Sequence, residues 1–301
     1  MRFSLGSLIE RCNAHDRSLY LPLTIALPVP EPPATVGLVR KDRLHRLAPF
    51  RHVFDVDENE LRLRPEYATE DQRTAAIQEV AKALKPETWK NEPYGAPRDG
   101  NRNNEPWFRV DRSASTFFGI HQYGCHLNGF VRHNKQSPHD MSIWLATRDA
   151  SKAIHPGKLD SLVGGGLPWD LSPTENMLKE AEEEAGMSRA EAMTAMTAAG
   201  AISYVNDEPH GFKANTMFIF DMELPATWTP RNTDGEVARF DLWPADKVLD
   251  ALRTTPDSFK PDICLVLVDF FIRHGLVTPD DFVKPGYDRV CAMLHPPIPL
   301  F

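Results

Sequence analysis

The chain has 301 residues, of which 42% are hydrophobic and 25% are charged, and its formal net charge is -8 at pH 7. This length predicts two domains, or one domain with a large extension, and the composition is that of an ordinary globular protein. The acidic balance argues against a nucleic-acid partner, because binding to phosphate backbones depends on clustered Lys and Arg. A small-molecule partner fits better.

The cysteines and the apolar runs indicate the expected cellular location of the chain. Cys12, Cys125, Cys264 and Cys291 are far apart and form no C-x-x-C pair, so neither a zinc site nor a disulfide framework is predicted. The first 17 residues, MRFSLGSLIERCNAHDR, lack the long apolar segment of a secretory signal. No apolar run reaches the roughly 18 residues of a membrane span. We therefore expect reduced thiols, no membrane partner and a cytoplasmic location.

The first third of the sequence predicts a small α+β unit. Residues 22–33, PLTIALPVPEPP, hold five prolines and predict an extended loop or an edge strand. Thr69 and Gln72 form a capping-box pattern ahead of apolar residues at helical spacing, which predicts a helix. Three short strands are predicted between them, at residues 36–40, 53–57 and 60–64.

A polar segment divides the chain. Residues 91–106, NEPYGAPRDGNRNNEP, are rich in Asn, Pro and Gly and have few apolar side chains, as in a linker or a long loop. We place the domain boundary here. Residues 1–106 then form an N-terminal α+β domain whose role the sequence does not reveal, and residues 107–301 form the second domain.

The second domain predicts strands and helices that alternate without a strict βαβ rhythm, which favours a mixed sheet between helices. A helix is predicted from Ser172 to Gly186, and another is opened by Ser188 and closed by Gly200. Strands are predicted at 117–132, 141–148, 202–206, 215–223 and 238–243, and further helices at 244–253 and 261–275. The strands at 117–132 and 141–148 are joined by the loop 133–140 and are expected to be neighbours.

The first of these helices carries an unusual acidic run. Glu180, Glu182, Glu183 and Glu184 occupy four of five consecutive positions. At about 100° per residue, Glu180, Glu183 and Glu184 share one face, whereas Glu182 points elsewhere. Acidic runs on helices are usually solvated surfaces, but like charges at this spacing repel one another and a divalent cation would compensate them. Carboxylate oxygens suit Mg²⁺ or Mn²⁺.

The residues before the helix favour the metal interpretation. Gly164, Gly165 and Gly166 follow the strand-like residues 161–163, and we expect a glycine turn whose backbone can approach a phosphate or a metal closely. The strand, the glycines, the capped helix and the spaced carboxylates together resemble the Nudix box, G-x5-E-x7-R-E-U-x-E-E-x-G-U, in which U is apolar. The residues on its G, E, U, E, E, G and U positions are Gly165, Glu180, Ala181, Glu183, Glu184, Gly186 and Met187.

Two positions depart from the box. Leu171 replaces its first glutamate and Lys179 replaces its arginine. In the family those two side chains pair and brace the loop against the helix, while metal is held chiefly by the later glutamates, all of which are present. The departures predict that the brace is made differently in this chain.

The resemblance implies a Nudix fold, a mixed sheet between helices in an α-β-α sandwich, preceded here by the small α+β domain. Longer stretches, including residues 118–132, resemble a Nudix subfamily that carries an added N-terminal domain and occurs with thiamine pyrophosphokinases. This implies a Mg²⁺-dependent hydrolase that converts thiamine diphosphate, or its oxidised analogues, to the monophosphate and phosphate. A hydrolase of ADP-ribose or another nucleoside diphosphate compound, and a non-catalytic ligand sensor, are the alternatives. Dimers are common in the superfamily, so a homodimer is the expected assembly.

The resemblance also assigns site residues. Glu180, Glu183 and Glu184 are expected to hold the metal, with the backbone of Gly164, Gly165 and Gly166 below the substrate. Glu236, in the stretch TDGEVARF, matches a loop glutamate that the family often uses as the base, and Glu184 is the other candidate; Asp207 and Glu208 are weaker ones. The side chains considered for contact with an organic ring are Trp169, Gln122, His126 and Asn128, with Tyr204 and Phe212 as further possibilities.

Overall fold

Two main β-sheets, with helices packed against them, organise the chain. The computed structural model describes residues 4–28, 30–84, 89–134, 136–137, 139–282 and 284–300. Two residues of the predicted loop 133–140, Lys135 and Pro138, lie outside these ranges. Among the described residues, the helices are too short or too polar to cross a membrane.

The N-terminal part is an α+β unit, as predicted. Its elements are α1 (Leu5–Cys12), β1 (Tyr20–Ile25), β2 (Ala34–Arg40), β3 (Phe54–Val56), β4 (Leu61–Leu63), α2 (Glu70–Leu84), β5 (Pro93–Gly95), β6 (Arg109–Asp111) and α3 (Arg112–Phe118). The first four strands form a sheet in the order β2-β1-β4-β3, and β5 pairs with β6. The predicted capping box is present, since the Thr69 side chain accepts a hydrogen bond from the Gln72 amide at 3.2 Å. Ile77 and Val80 of α2 share a buried core with Leu23 of β1.

The proline-rich stretch begins as an interior strand, not as an edge. β1 pairs with β2 on one side and with β4 on the other. Pro22 is tolerated because β4 pairs only with residues 23–25. No hydrogen bond to β4 therefore requires the backbone N–H group that proline lacks.

The C-terminal part is built on a larger mixed sheet. Its elements are β7 (His121–Arg132), β8 (Met141–Arg148), β9 (Leu159–Asp160), β10 (Val163–Gly166), α4 (Pro173–Ala185), α5 (Arg189–Ala195), β11 (Met196–Glu208), β12 (Gly211–Glu223), β13 (Val237–Pro244), α6 (Ala245–Thr254), α7 (Pro261–Arg273) and α8 (Tyr287–Met293). The strand order is β11-β12-β7-β8-β13, with β10 beside β7 and β9 beside β8. β12 runs parallel to β7, whereas the other pairs are antiparallel.

Helices cover both faces of this sheet, as predicted. Along β12, Met217 and Ile219 point into the core that contains α7, while Phe220 and Met222 point into the core that contains α4. The expected pairing of β7 with β8 is also confirmed. The result is a mixed sheet between α4 on one side and α7 on the other.

Two predicted elements have different bounds. Phe117 and Phe118 belong to α3, which is capped by Asp111 and ends at Gly119 with φ 61°, so β7 begins only at His121. α5 ends at Ala195 rather than near Gly200, and the chain continues directly into β11. The segment after Ala195 is rich in alanine, and its pairing with β12 decides its conformation over its helical propensity.

The two parts of the chain share buried surfaces. Leu8 and Ile9 of α1 pack into the same core as Val266 and Phe270 of α7. The β5–β6 pair spans the predicted boundary near residue 107. The first helix therefore contributes to the core of the C-terminal part.

Asp221 of β12 anchors the end of α7, and we expect its loss to destabilise the fold. It is buried and accepts hydrogen bonds from Asn128, Arg273 and His274. Burial raises the pKa of Asp221, but these three hydrogen bonds outweigh burial and lower it from 3.8 to about 2. A depression of this size is worth on the order of 2 kcal/mol, which is present above about pH 4 and is lost as the pH falls through about 2.

Asp221→Asn should lower the free energy of unfolding at pH 7 by on the order of 2 kcal/mol, and it should flatten the loss of stability between about pH 4 and 2. Urea denaturation at several pH values measures both effects. Asp280→Asn, at an exposed position, is the control and should change neither. An Asp221→Asn protein as stable as the parent would show that the network contributes nothing.

Candidate active site

The three glycines form a strand, not the predicted turn. They lie in β10, where Gly164, Gly165 and Gly166 pair with His126, Cys125 and Gly124 of β7. These positions require glycine because neighbouring atoms leave no room for a side chain. A Cβ atom on Gly165 would lie 2.5 Å from the carboxyl carbon of Glu180, and one on Gly164 would lie 2.5 Å from Nδ1 of His126. β10 can therefore lie directly against the acidic helix.

The helix α4 has the predicted start and end. Ser172 and Glu175 form a reciprocal capping box, and Gly186 closes the helix in the left-handed region with φ 64°. Leu178 and Ala181 are buried against the sheet. This buried stripe fixes the rotation of the helix and turns its acidic face toward β10.

Glu184 is the most enclosed of the acidic side chains. It is 8% exposed, and its Oε2 accepts a hydrogen bond from the Gly164 amide at 2.9 Å. Burial raises the pKa of Glu184 well above its usual value, and the nearby charges of Glu180, Asp160 and Glu236 act in the same direction. A bound cation would lower it again, because an opposite charge favours the carboxylate.

Glu180 and Glu183 share one lysine. Burial raises the pKa of Glu180, and the Lys179 ammonium, 3.5 Å from its Oε1, opposes this. The same ammonium lies 2.8 Å from Oε2 of Glu183, whose side chain is 46% exposed. Glu182 is exposed, as predicted. The chain therefore supplies part of the positive charge that the acidic run requires.

The predicted metal ligands do not all converge. Within the described ranges, no group of three or more His, Cys, Asp or Glu side chains is arranged to hold an ion. Glu180 and Glu184 nevertheless lie on the face beside β10, and one or two carboxylates are the usual protein contribution to a Mg²⁺ site. These two residues fit a hard cation, whereas Glu183 is more exposed and makes the shorter contact with Lys179.

Glu184 and Glu236 face the same small cavity of about 10 Å³, which Arg148, Lys152 and Asp160 also line. A space of this size accepts about one water molecule. Burial raises the pKa of Glu236, but the ion pair with Lys152 outweighs burial and lowers it. The structure thus places both predicted catalytic carboxylates together.

The residues proposed for ring contact have different surroundings. His126 is buried below Gly164, with Nδ1 2.8 Å from Oγ of Ser161, and burial lowers its pKa to about 4. Gln122 is also buried and donates to Oγ1 of Thr116 at 3.0 Å. Asn128 lies in the Asp221 network at the end of α7.

The weaker base candidates take part in other contacts. Asp207 accepts hydrogen bonds from the Tyr20 hydroxyl at 2.7 Å and from the Asp16 amide at 3.0 Å. Glu208 pairs with Lys213 at 3.2 Å. Neither residue lines the cavity that holds Glu184 and Glu236.

Sequence reasoning missed the contribution of the N-terminal part. A Cβ atom on Gly166 would lie 2.1 Å from the Tyr94 hydroxyl and 2.9 Å from Cζ of Arg112. The loop after β10 also contacts this part, since the Trp169 amide donates to the Pro93 carbonyl at 2.8 Å. These residues lie more than 50 positions from the loop, and no local pattern identifies them.

Comparison with known proteins agrees with the geometry. Residues 129–263 match the NUDIX domain, and residues 5–122 match a domain of unknown function, DUF4743. Nudix hydrolase 20, chloroplastic, and Nudix hydrolase 24, chloroplastic, both from Arabidopsis thaliana, are each 35% identical to this chain. Their matches cover 90% and 93% of this chain and 73% and 74% of the plant proteins, respectively.

Among solved structures, the NUDIX domain of Shewanella oneidensis NrtR, complexed with ADP ribose, matches with a TM-score of 0.38 and 14% identity. That match covers 53% of this chain and 91% of the other. Nudix hydrolases generally use divalent metal ions, in keeping with the carboxylates beside β10. The chain belongs to the Nudix hydrolase family, and it is a Nudix-type hydrolase whose Nudix domain follows an N-terminal domain of unknown function.

Proposed function

We propose that this hydrolase cleaves thiamine diphosphate, or its oxidised analogues, to the monophosphate and phosphate, with Mg²⁺ as its cation and Mn²⁺ as a substitute. The main observation in support of hydrolysis is that Glu184 and Glu236 face one cavity beside the glycine strand. The choice of thiamine diphosphate depends on the sequence resemblance to Nudix proteins associated with thiamine pyrophosphokinases.

The residues at this site suit hydrolysis of a diphosphate. The reaction needs a water nucleophile, positive charge against the phosphate oxygens and a group that accepts the proton. A bound divalent cation would supply the positive charge, and Glu180 and Glu184 are the residues placed to hold it. Because Gly164, Gly165 and Gly166 have no side chains, a phosphate can approach their backbone closely.

Two carboxylates can accept the proton. The ion pair with Lys152 keeps Glu236 ionised at neutral pH, so its oxygens are free of a proton before the reaction. Glu184 is the stronger base in the absence of a cation, because burial raises its pKa well above the usual value for a glutamate. If Glu184 holds the cation, Glu236 is left as the base, and this is the division of roles that we propose.

The organic ring is proposed to lie beside β7. His126 is below Gly164, and Gln122 lies on the same strand two positions before Gly124, which pairs with Gly166. Trp169 adds an aromatic surface on the loop after β10.

A substrate screen tests the proposal. With Mg²⁺ present, phosphate release from thiamine diphosphate and its oxo analogue should exceed release from nucleoside triphosphates, and ADP-ribose should yield little AMP. Chromatography of the products identifies the bond that is cleaved. A preference for ADP-ribose would overturn the substrate assignment while leaving the hydrolase chemistry in place.

Glu184→Gln should lower kcat by about 100-fold or more, because the substitution removes a charge at the reaction centre. The fold should be retained, because the amide oxygen of glutamine can still accept the hydrogen bond from Gly164, and removal of a buried charge costs no stability. Glu182→Gln on the exposed face of α4 is the matched control and should have parental activity. Equal kcat values for the two variants would exclude Glu184 from the reaction.

Glu236→Gln should lower kcat by about 100-fold while KM changes little, because its proposed role is in proton transfer. Asp234→Asn is the control, since Asp234 is exposed in the same loop and asparagine retains the oxygen that accepts from the Glu236 amide. Steady-state kinetics of both variants distinguish the two positions. Full activity of Glu236→Gln would leave Glu184 as the only proposed base.

A further inference from the structure

The loop between the glycine strand and the acidic helix lacks the brace that its sequence resemblance predicts. This loop, residues 167–171, joins β10 to α4. Leu171 is apolar and packs against the core below α4. Lys179 extends along the helix surface to Glu180 and Glu183. The loop must therefore be held by other residues.

Arg102 holds it. One terminal nitrogen, Nη2, lies within hydrogen-bonding distance of three carbonyl oxygens of the loop backbone, those of Pro168, of Trp169 at 3.2 Å and of Leu171 at 2.7 Å. The guanidinium also lies over the rings of Trp169 and Tyr123, at 5.4 Å and 5.8 Å from their centres. Burial lowers the pKa of Arg102, yet the guanidinium stays charged at neutral pH.

Neighbours of Arg102 in the sequence make further contacts with the same loop. The Pro93 carbonyl accepts from the Trp169 amide, and Arg109 pairs with Asp170 at 3.1 Å. The absence of a side chain at Gly95 makes room for the Trp169 ring, because a Cβ atom there would lie 2.4 Å from it. Pro93, Gly95 and Arg109 therefore contact the loop on the same side as Arg102.

The position of this loop sets the relation between the two halves of the active site. On one side it continues from Gly166, and on the other it leads into the cap of α4 and so to Glu180 and Glu184. A guanidinium that fixes three carbonyl groups removes freedom from the loop backbone. Catalytic groups need to be held close to their productive geometry by such supporting contacts.

We propose that Arg102 is a positioning residue of this hydrolase, which holds the loop 167–171 so that β10 and α4 keep the geometry that catalysis requires. It replaces the brace that Leu171 and Lys179 cannot form. Arg102, together with the loop contacts of Pro93 and Arg109, thereby supports the active site from outside the Nudix box.

Two measurements on Arg102→Met test this proposal. Hydrogen exchange of the backbone amides in residues 167–171 should accelerate by about tenfold or more, because the carbonyl anchors are lost. With the substrate proposed above, kcat should fall by about tenfold or more while KM stays within about twofold, since substrate contacts are retained. Arg102→Lys should be intermediate, because an ammonium can donate to the carbonyl groups but lacks the planar group that lies over Trp169 and Tyr123.

Arg98→Met is the matched control. Arg98 lies four residues earlier in the same segment, and its guanidinium stacks over Trp107 at 4.3 Å from the ring centre instead of contacting the loop. This variant should keep parental exchange in residues 167–171 and parental kcat. If Arg98→Met and Arg102→Met have the same effects, general loss of stability explains them and the proposal is overturned.

The remaining outcomes are also decisive. Parental exchange in the loop of Arg102→Met overturns the bracing role, and faster exchange with unchanged kcat overturns the catalytic one. If Arg102→Met fails to fold, Arg102→Lys provides the comparison, and parental exchange and kcat in that variant count against the proposal. The exchange measurement needs no substrate, so it tests the brace even where the proposed function fails.

Discussion

The close approach of a glycine strand to an acidic helix is the constraint on which the site depends. β10 can lie against α4 only because a side chain on Gly165 would occupy the space of the Glu180 carboxyl group. This approach brings the Gly164 amide to Glu184 and encloses that carboxylate. A side chain at position 165 would push the two elements apart, and the acidic groups would return to solvent.

Because the site is enclosed, the negative charges of its carboxylates need compensation by other groups. Each buried or half-buried carboxylate of the site has either a raised pKa or a cationic partner. Asp160 lies 2.9 Å from Arg148, Glu236 forms an ion pair with Lys152, and Glu183 forms one with Lys179. Glu184 lacks such a side-chain partner among the described ion pairs and has only the Gly164 amide. A divalent cation would relieve the largest remaining electrostatic cost, which is the physical reason to associate it with Glu184.

The N-terminal part is connected to this arrangement at two places. Its first helix, α1, fills part of the core below α7, on the face of the sheet opposite α4. Residues of its segment 93–109 contact the loop that joins β10 to α4. Removal of the N-terminal part would therefore expose apolar core on one side of the sheet and release the loop on the other.

The sequence by itself determined the local features. Ser172, Glu175 and Gly186 specify the bounds of α4 because capping is decided by neighbouring residues, and the rotation that groups Glu180 with Glu184 follows from helical periodicity. The acidic face could be predicted in this way, whereas the Nudix family and its mixed sheet between helices followed from the resemblance of residues 165–187 to the Nudix box.

Only the tertiary structure decided how these parts meet. It made the glycines a strand, because pairing with β7 outweighs the turn preference of glycine, and it turned the segment after α5 into β11 through pairing with β12. It also brought Glu236 to Glu184, and Arg102 to the loop before α4. The last two contacts join residues more than 50 positions apart in the sequence, where no periodicity or capping pattern relates one residue to the other.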